Sequence, residues 1–476
     1  MIYDLNKLDN EDVSKVNYDV CVIGAGAAGI TIANKLSQSG LRIALCEAGG
    51  KDYTEESQNN YLGKVIGDPY FKLDVARLRF LGGTTNHWNG WCRPFEKIDF
   101  ERNYLGDEFV WPISLKEIDK YQFEACDILE IDNDFNFKDQ EFQDIRKIKF
   151  QFSPPVRFKD KYIKQLSNSQ NINLILNANF KDINGEESLI KEAIFESYNK
   201  KDISIKANKF VFAMGGIENS RYLLWLVEKY NSKFFNSNTP IGKYWMEHPH
   251  FTLGSAIVKK SVMKNNYYSL NDNLQKSSRI LNCGFRVNEF SSSSTKDMVK
   301  EILCIAPKLG HELAALAKKN LICGARLFAA WEQEPNISNA VILSNNLNGF
   351  GIPQVKLNWK KSSFDKKTIK ESVKLLNEWL LENDLGRLHL FDWLIKDADY
   401  PSNDELGGYH HMGGTRMSAS SKYGVVNKNC RVYGSKNLFI AGSSIFTTGG
   451  HNNPTLPIVQ FSLRLAEHLI KTKNIV

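Results

Sequence analysis

Three glycines and one glutamate near the start of the chain have the types and spacing of a dinucleotide-binding site. Gly24, Gly26 and Gly29 follow a short apolar run, and Glu47 ends the next apolar run. In such a site the first glycine makes the turn, the second admits a pyrophosphate close to the backbone, and the third lets a helix pack on the sheet. The acidic residue accepts hydrogen bonds from ribose hydroxyls. The pattern therefore predicts a strand, turn, helix and strand unit that binds a dinucleotide.

The dinucleotide is predicted to be FAD. A negative charge on Glu47 at the ribose disfavours the 2′-phosphate of NADP. The sequence has no second nucleotide motif for a nicotinamide cofactor, so one tightly held flavin is the simpler interpretation.

The elements that must position this site alternate between strands and helices. Hydrophobic periodicity predicts buried strands at residues 18–23, 41–46 and 437–442. It also predicts short β-rich pieces at residues 190–195, 203–205 and 210–212, and a closing helix at residues 454–471. Residues 251–426 are more mixed, with a helix predicted at residues 366–383 and a partly helical pattern in the apolar, lysine-bearing stretch at residues 298–330.

We therefore predict an α/β fold, in which a Rossmann-like FAD-binding domain with a parallel sheet is interleaved with an α+β substrate domain. The predicted FAD-binding domain is discontinuous and comprises residues 15–110, 150–245 and 427–476. The predicted substrate-binding domain comprises residues 111–149 and 246–426.

Composition excludes several other classes of protein. The 476 residues are 42% hydrophobic and 24% charged, which is typical of a globular chain rather than a disordered one. The net charge of +7 comes from basic residues spread along the chain, so no nucleic-acid partner is expected. The eight cysteines show no metal-ligand or haem spacing, so we expect no metal site and a reducing compartment. Residues 1–17 lack a signal-peptide core and no apolar run is long enough to span a membrane, so the cytoplasm is the expected location.

Further motifs spread along the chain carry a resemblance to a known family. They are Leu81-Gly82-Gly83-Thr84-Thr85-Asn86-His87-Trp88, Trp111-Pro112-Ile113, Ala213-Met214-Gly215-Gly216-Ile217-Glu218-Asn219, Met246-Glu247-His248-Pro249-His250, His410-His411-Met412-Gly413-Gly414-Thr415-Arg416-Met417, Ala441-Gly442-Ser443-Ser444 and Asn453-Pro454-Thr455-Leu456. Together they resemble the glucose-methanol-choline (GMC) oxidoreductases, which are FAD-dependent alcohol oxidases and dehydrogenases. Within the family they are most similar to the branch of pyranose oxidase and the fructose-dehydrogenase-like flavoproteins. The resemblance implies an alcohol substrate, with a sugar or polyol favoured.

The resemblance also implies which residues contact the flavin. Glycine-rich segments of the family place Gly82, Gly83, Ala213 and Gly442 against the cofactor. The helix that begins near Pro454 and Thr455 can point its N-terminus at the flavin and stabilise negative charge there.

A base and a group that orients the substrate oxygen must face the flavin, because alcohol oxidation removes the hydroxyl proton and transfers a hydride to flavin N5. A neutral histidine can take that proton. His410 is the predicted base, since Gly413 and Met417 follow it at the family's spacing. His411 stays open as the alternative, because Gly414-Thr415 would then restore the family's threonine. Asn453 stands at the partner position, and its alternative role is to cap the helix at Pro454.

His87 occupies the position at which the resemblance allows a covalent bond to the flavin. Pyranose oxidase carries its flavin on a histidine in the corresponding motif, but this chain has Asn86 where that enzyme has threonine. The alternative is a histidine that only packs beside the ring.

Two other functions remain open at this stage. Hydroxynitrile lyases of the same family bind FAD without using its redox chemistry, and the stretch at residues 298–330 could mark a membrane-surface or complex-forming subunit instead of a cover over the substrate cavity. The electron acceptor is open among oxygen, a quinone and a partner protein. A c-type haem would have to sit on another chain, because the sequence has no C-x-x-C-H motif.

Overall fold

The computed structural model describes residues 1–7, 11–137, 144–259, 261–262, 266–289, 312, 324–396, 398–402 and 404–474. The strands are β1 (Ile2–Asp4), β2 (Asn17–Ile23), β3 (Ile43–Cys46), β4 (Gly63–Gly67), β5 (Trp91–Cys92), β6 (Ile145–Ile148), β7 (Gln151–Phe152), β8 (Ile172–Leu176), β9 (Asn179–Glu186), β10 (Leu189–Glu196), β11 (Asp202–Phe212), β12 (His250–Val258), β13 (Asn266–Leu270), β14 (Cys283–Glu289), β15 (Ala325–Trp331), β16 (Ala340–Leu347), β17 (Pro353–Trp359), β18 (Gly386–Leu390) and β19 (Leu438–Ile440).

The α-helices are α1 (Glu11–Ser14), α2 (Ala27–Ser37), α3 (Glu55–Gln58), α4 (Lys97–Phe100), α5 (Lys116–Asp119), α6 (Gln122–Leu129), α7 (Phe158–Asn168), α8 (Gly215–Tyr230), α9 (Asp272–Ser278), α10 (Ser363–Glu382), α11 (Asp392–Ile395) and α12 (Thr455–Lys471). Short 3₁₀ helices lie at Asn59–Tyr61, Gly83–Asn86, Asp107–Phe109 and Ser443–Ile445. Most of the predicted partly helical stretch at residues 298–330 lies outside the described residues, and its last residues belong to β15.

The largest sheet has the strand order β1-β8-β3-β2-β11-β10-β9, and β19 also pairs with β11. Strands β1, β8, β3, β2, β11 and β19 pair in parallel, whereas β9 and β10 form an antiparallel extension beside β11. Helices α2 and α12 pack against each other beside this sheet. The predicted α/β fold with a parallel dinucleotide-type sheet is confirmed.

One strand corrects the predicted pattern. The sequence suggested separate pieces at residues 203–205 and 210–212, but both belong to the single strand β11. Its first half pairs with β10, and its second half pairs with β2. The polar residues in its middle hide the strand in a hydrophobicity pattern, although backbone hydrogen bonds continue through them.

The turns that follow the parallel strands β2, β11 and β19 lie at the same edge of the large sheet. The Gly24 N–H bonds to Cys46 O, the Ala213 N–H to Ile23 O and the Ala441 N–H to Phe212 O, each at 2.8 Å. Since β2, β11 and β19 run in the same direction, the turns that follow them all lie at the carboxyl edge, where ligands bind in such sheets.

A second sheet has the strand order β18-β12-β15-β14-β13-β6, and every neighbouring pair in it is antiparallel. Helix α10 contacts β14, β15 and β18 of this sheet. Its core is separate from that of the large sheet and includes Phe251, Phe285 and Trp331. Two small sheets, β16-β17-β4 and β5-β7, complete the architecture.

A buried ion cluster ties α4 to the second sheet. The Arg102 guanidinium lies 2.9 Å from Asp99 Oδ1 and 2.6 Å from Glu332 Oε2, and all three side chains are buried. Asn282 Nδ2 donates to Asp99 Oδ1 at 2.6 Å, and Thr448 Oγ1 donates to the Asp99 carbonyl at 3.2 Å. The cluster therefore supports the turn that precedes Asn453.

Within the described ranges, no helix is long and apolar enough to cross a membrane.

Replacing Arg102 by methionine would leave two carboxylates buried without their cation. We expect Arg102→Met to lower the free energy of unfolding by about 3–5 kcal/mol, because an uncompensated buried charge is strongly destabilising. Urea denaturation followed by fluorescence measures the effect as a lower midpoint. Arg387→Met on the exposed face of β18 is the matched control and should leave the midpoint unchanged. Equal stability of Arg102→Met and wild type would contradict the prediction.

Candidate active site

One cavity of about 530 Å³ opens between the two large sheets. Most predicted site residues line it, namely Gly24, Gly26, Glu47, Gly83, His87, Ala213, His410, Gly442, Asn453, Pro454 and Thr455. Gly29 and Gly82 do not line it, but they contact the lining residues Gly24 and Ala25. The turns after β2, β11 and β19 form one end of the cavity, and residues of the second sheet form the other.

The first end has the geometry that the glycine pattern predicts. Gly24 has φ +104°, which favours glycine, and a Cβ on Gly29 would lie 1.9 Å from Gly24 O. Gly26 is the N-cap of α2 without a side-chain cap, and a Cβ there would meet no atom within 4 Å. The first N–H groups of α2 therefore lack helical partners and face open space.

Glu47 lines the same end of the cavity as Gly24 and Gly26. Its Oε2 accepts from the Ala25 N–H and its Oε1 from the Gly49 N–H, both at 2.9 Å. Burial raises the pKa of this carboxyl, and these two hydrogen bonds oppose that shift by favouring the charged form. Each oxygen keeps a lone pair for a ribose hydroxyl.

The glycine-rich segment after Leu81 packs directly on the first turn. The Gly82 N–H donates to Ala25 O at 2.9 Å, and both Gly82 and Gly83 have positive φ. A Cβ on Gly83 would lie 3.2 Å from Gly26 Cα, so this close approach requires glycine. The two segments therefore form adjoining walls of the same groove.

The donor set fits FAD. Free N–H groups at the start of α2 suit the pyrophosphate, Glu47 suits a ribose, and residues at the start of α12 line the same cavity. The buried ring nitrogens of His451, which also lines the cavity, have no hydrogen-bond partner among the described residues, so they are available to a ligand.

The structure brings together the two predicted catalytic residues. Asn453 Nδ2 lies 3.2 Å from His410 Nε2, and the His410 side chain is 15% exposed. Burial, followed by the nearby His248, holds the pKa of His410 well below its usual range, so the ring is neutral near pH 7. The backbone N–H of His410 donates to both carboxylate oxygens of Glu247, at 2.8 and 2.9 Å.

His411 has different surroundings, although it lines the same cavity. Its Nε2 lies 3.1 Å from the Tyr70 hydroxyl, which in turn donates to Glu247. Its ring also packs at 5.6 Å from that of Trp245. Burial lowers the pKa of His411 to about 3. Its polar contact is therefore to Tyr70 rather than to Asn453.

His87 lies in the cavity wall with its ring stacked on Tyr409, at 6.4 Å between centroids and 24° between planes. Burial and the nearby Arg157 lower its pKa. The preceding Asn86 side chain turns away, donating to Leu81 O and Gly83 O at 2.9 Å.

Sequence reasoning missed the aromatic wall at the far end of the cavity. Its members come from β5, β13, β15 and the segment before β7, and they are Trp91, Phe150, Tyr267 and Phe328. The Arg286 guanidinium lies over the Phe328 ring at 4.8 Å and near that of Trp91 at 5.6 Å. Strand periodicity could indicate which of these residues share a face, but not that this face meets the cavity.

Reasoning from sequence also missed the contacts of Glu247 and His248 with His410. The segment at residues 246–250 carried part of the resemblance, yet no spacing rule links it to a residue so far along the chain.

A parallel sheet with glycine turns, and a cavity that extends from these turns to His410 and Asn453, are typical of flavin-dependent oxidoreductases. Residues 335–462 match the family model for GMC oxidoreductase. The fructose dehydrogenase large subunit of Gluconobacter japonicus is 22% identical over 560 aligned positions, spanning 97% of this chain and 99% of that protein. The 2-methyl-1,2-propanediol dehydrogenase of Mycolicibacterium austroafricanum is 26% identical over 277 positions, 56% of this chain and 48% of that protein.

Solved structures share the fold. Pyridoxine 4-oxidase from Mesorbium loti superposes with a TM-score of 0.60 at 13% identity, covering 95% of this chain and 99% of that one. Formate oxidase from Aspergillus oryzae RIB40 gives 0.56 at 15% identity, covering 96% and 99%, in a structure that concerns modification of its FAD. The chain is similar to GMC oxidoreductases in its C-terminal part and to the fructose dehydrogenase large subunit along nearly its whole length, and it is an FAD-dependent oxidoreductase acting on CH-OH groups.

Two glycine substitutions separate cofactor binding from folding. We expect Gly26→Ala to fold normally but to lose FAD, because its Cβ would enter the open space beside the first turn of α2. Gly29→Ala should lose the folded state, since its Cβ would collide with backbone that cannot move away. Far-ultraviolet circular dichroism and the flavin absorbance of the purified variants measure both effects. A Gly26→Ala protein with full flavin content would contradict the assignment.

Proposed function

We propose that this enzyme oxidises a secondary or primary alcohol of a sugar or polyol, with His410 as the base and Asn453 as the residue that orients the substrate oxygen. The 3.2 Å contact between His410 Nε2 and Asn453 Nδ2 is the observation that carries the proposal. A substrate hydroxyl that contacts both atoms, in place of their direct hydrogen bond, can give its proton to the histidine and accept a hydrogen bond from the amide.

The chain's own part in the reaction is to bind, orient and deprotonate the alcohol. The hydroxyl proton moves to His410 Nε2, which a neutral ring leaves free to accept it. Bound FAD supplies the acceptor for the hydride of the carbinol carbon, so the alcohol becomes a carbonyl compound. We propose that Gly24, Gly26, Gly29, Glu47, Gly82, Gly83, His87, Ala213, Gly442, Pro454 and Thr455 hold that cofactor.

The far end of the cavity supports a sugar or polyol as the substrate. Aromatic faces pack against the C–H groups of such molecules, while the surrounding polar side chains bind their hydroxyls. Trp91 and Tyr267 offer these faces, with His250 and Arg286 nearby. The names of two relatives, a fructose and a propanediol dehydrogenase, agree with this class of substrate.

A second candidate is an enzyme that passes its electrons to a partner protein. The relative from Gluconobacter japonicus is named as a large subunit, and the alignment spans 99% of it. Oxygen and a quinone are the other acceptors to test. We also propose a reducing compartment such as the cytoplasm, supported by six described cysteines that are buried and form no disulfide.

The division into domains is a proposal as well. Strands of the large sheet fall within residues 2–46, 172–212 and 438–440, and those of the second sheet within 145–148 and 250–390. Apart from β1 at residues 2–4, which also belongs to the large sheet, this distribution supports an FAD-binding domain of residues 15–110, 150–245 and 427–476, with residues 111–149 and 246–426 binding the substrate.

The base is tested by replacing each histidine in turn. We expect His410→Ala to keep its FAD but to reduce it with substrate about 100 to 10,000-fold more slowly, because a positioned general base contributes that much. Asn453→Ala should lose less, since it disturbs orientation alone. Stopped-flow measurement of flavin bleaching without oxygen, over a panel of sugars and polyols, gives these rates.

His411→Ala is the matched control for the base and should remain far faster than His410→Ala. Rapid bleaching in His410→Ala beside an inactive, FAD-containing His411→Ala would reverse the assignment. The enzyme would be a lyase rather than an oxidase or dehydrogenase if no alcohol bleached the flavin of the wild-type protein and the protein released cyanide from a cyanohydrin.

The bond between His87 and the flavin is tested by acid precipitation. We expect His87 to pack beside the flavin without a covalent bond, so the yellow colour should pass into the supernatant. Colour that stays with the precipitated wild type and leaves it in His87→Ala would instead establish covalent attachment.

A further inference from the structure

The side chains of His248 and His410 lie within hydrogen-bond distance of each other. Their rings meet edge to face, with centroids 4.9 Å apart and planes at 83°, and their Nδ1 atoms are 2.8 Å apart. At this distance two N–H groups would repel each other, and two bare lone pairs would leave both buried atoms unsatisfied. One nitrogen must donate and the other accept.

The contact of His248 Nε2 with the Gly449 carbonyl shows which Nδ1 atom donates between the two rings. His248 Nε2 lies 3.3 Å from the Gly449 carbonyl, which can only accept, so this nitrogen carries a proton. Burial lowers the pKa of His248 to about 4, so the ring is neutral near pH 7 and has no second proton. His248 Nδ1 is therefore the acceptor, and the proton between the rings belongs to His410 Nδ1.

The far side of His410 agrees with this assignment. A neutral His410 with its proton on Nδ1 has a lone pair on Nε2, and the Asn453 amide nitrogen that faces Nε2 can only donate. Glu247 Oε1, at 4.0 Å from His410 Nδ1, also favours a proton on that side of the ring.

We propose that His248 is a positioning residue, which holds His410 in the Nδ1–H tautomer and so keeps Nε2 unprotonated and able to take the substrate proton. The catalytic part of this inference rests on the proposed function, whereas the tautomer does not. When His410 receives the proton on Nε2, its Nδ1–H keeps donating to His248, so the charged ring remains hydrogen-bonded in a buried place.

The backbone fixes the distance between the two rings. The backbone N–H of His248 donates to Glu247 Oε1 at 2.9 Å, and the backbone N–H of His410 donates to the same carboxylate. Met246 and Met412, just outside the two histidines, exchange backbone hydrogen bonds of 2.8 and 3.0 Å. The contact between the rings is therefore built into the backbone pairing of two distant segments.

Two substitutions of His248 separate the hydrogen bond to His410 from that to Gly449. The Oδ1 atom of asparagine can take the place of imidazole Nδ1, so His248→Asn keeps the acceptor for His410. The longer glutamine can donate to the Gly449 carbonyl, but it has no acceptor atom at the position of imidazole Nδ1, where His410 donates. His248→Leu removes both contacts.

Nitrogen NMR of the FAD-containing enzyme, labelled in its histidines with ¹⁵N, reads the tautomer directly. His410 resonances are assigned by their loss in His410→Ala. We expect wild type and His248→Asn to show a protonated Nδ1 and an unprotonated Nε2 for His410. In His248→Gln and His248→Leu, His410 should shift towards the Nε2–H form.

Anaerobic flavin bleaching on the same proteins measures the consequence for catalysis. His248→Asn should keep most of the wild-type rate, while His248→Gln and His248→Leu should lose roughly 10 to 1,000-fold in the limiting rate, as when the group that fixes a catalytic histidine is removed. KM should change little. His389→Asn, the same exchange on the exposed face of β18, is the control and should behave as wild type.

A wild-type His410 found in the Nε2–H form would overturn the inference. So would unchanged tautomer and rate in His248→Gln, or a His248→Gln enzyme that is faster than His248→Asn. If His248→Leu does not fold, the wild-type spectrum and the asparagine and glutamine pair still decide. Failure of the proposed function looks different, because His410→Ala would then bleach as fast as wild type whatever the tautomer.

Discussion

A single buried carboxylate holds together the parts of the site that the chain separates most. Glu247 accepts hydrogen bonds from the backbone N–H groups of His248 and His410 and from the Tyr70 hydroxyl. Burial raises its pKa to about 7, and these donors favour its charged form. Without this acceptor two backbone N–H groups would be buried unsatisfied, and the segment that carries His410 would lose its fixed distance from β12.

The two ends of the cavity, one at the glycine turns and one at the aromatic wall, rely on different kinds of group. Glycines and backbone N–H groups form the first, so many sequences can preserve it as long as the glycines remain. Side chains from an antiparallel sheet form the second, and each can change independently. This contrast agrees with a relative that is only 22% identical yet aligns over nearly the whole chain. It also means that the relatives indicate the substrate less well than they indicate the cofactor.

The same contrast decides how much the sequence could predict. Gly24 and Gly29 were identifiable because a turn and a helix contact within one short segment impose their type, and the confirmed fold follows from the strands around them. The pairing of His248 with His410 could not be predicted, because it depends on backbone pairing across 162 residues. The aromatic wall was hidden for a related reason: alternation along β13 or β15 does not tell which face meets a cavity.

The position of β19 has a consequence for synthesis on the ribosome. The second half of β11 pairs with β2 on one side, but its other side stays without a partner until Leu438–Ile440 has been translated. At roughly 5–20 residues per second, the nascent chain exposes this apolar edge for tens of seconds. Misassembly between growing chains should therefore concentrate at Phe210, Val211 and Phe212, and a holding chaperone should raise the yield of correctly folded enzyme.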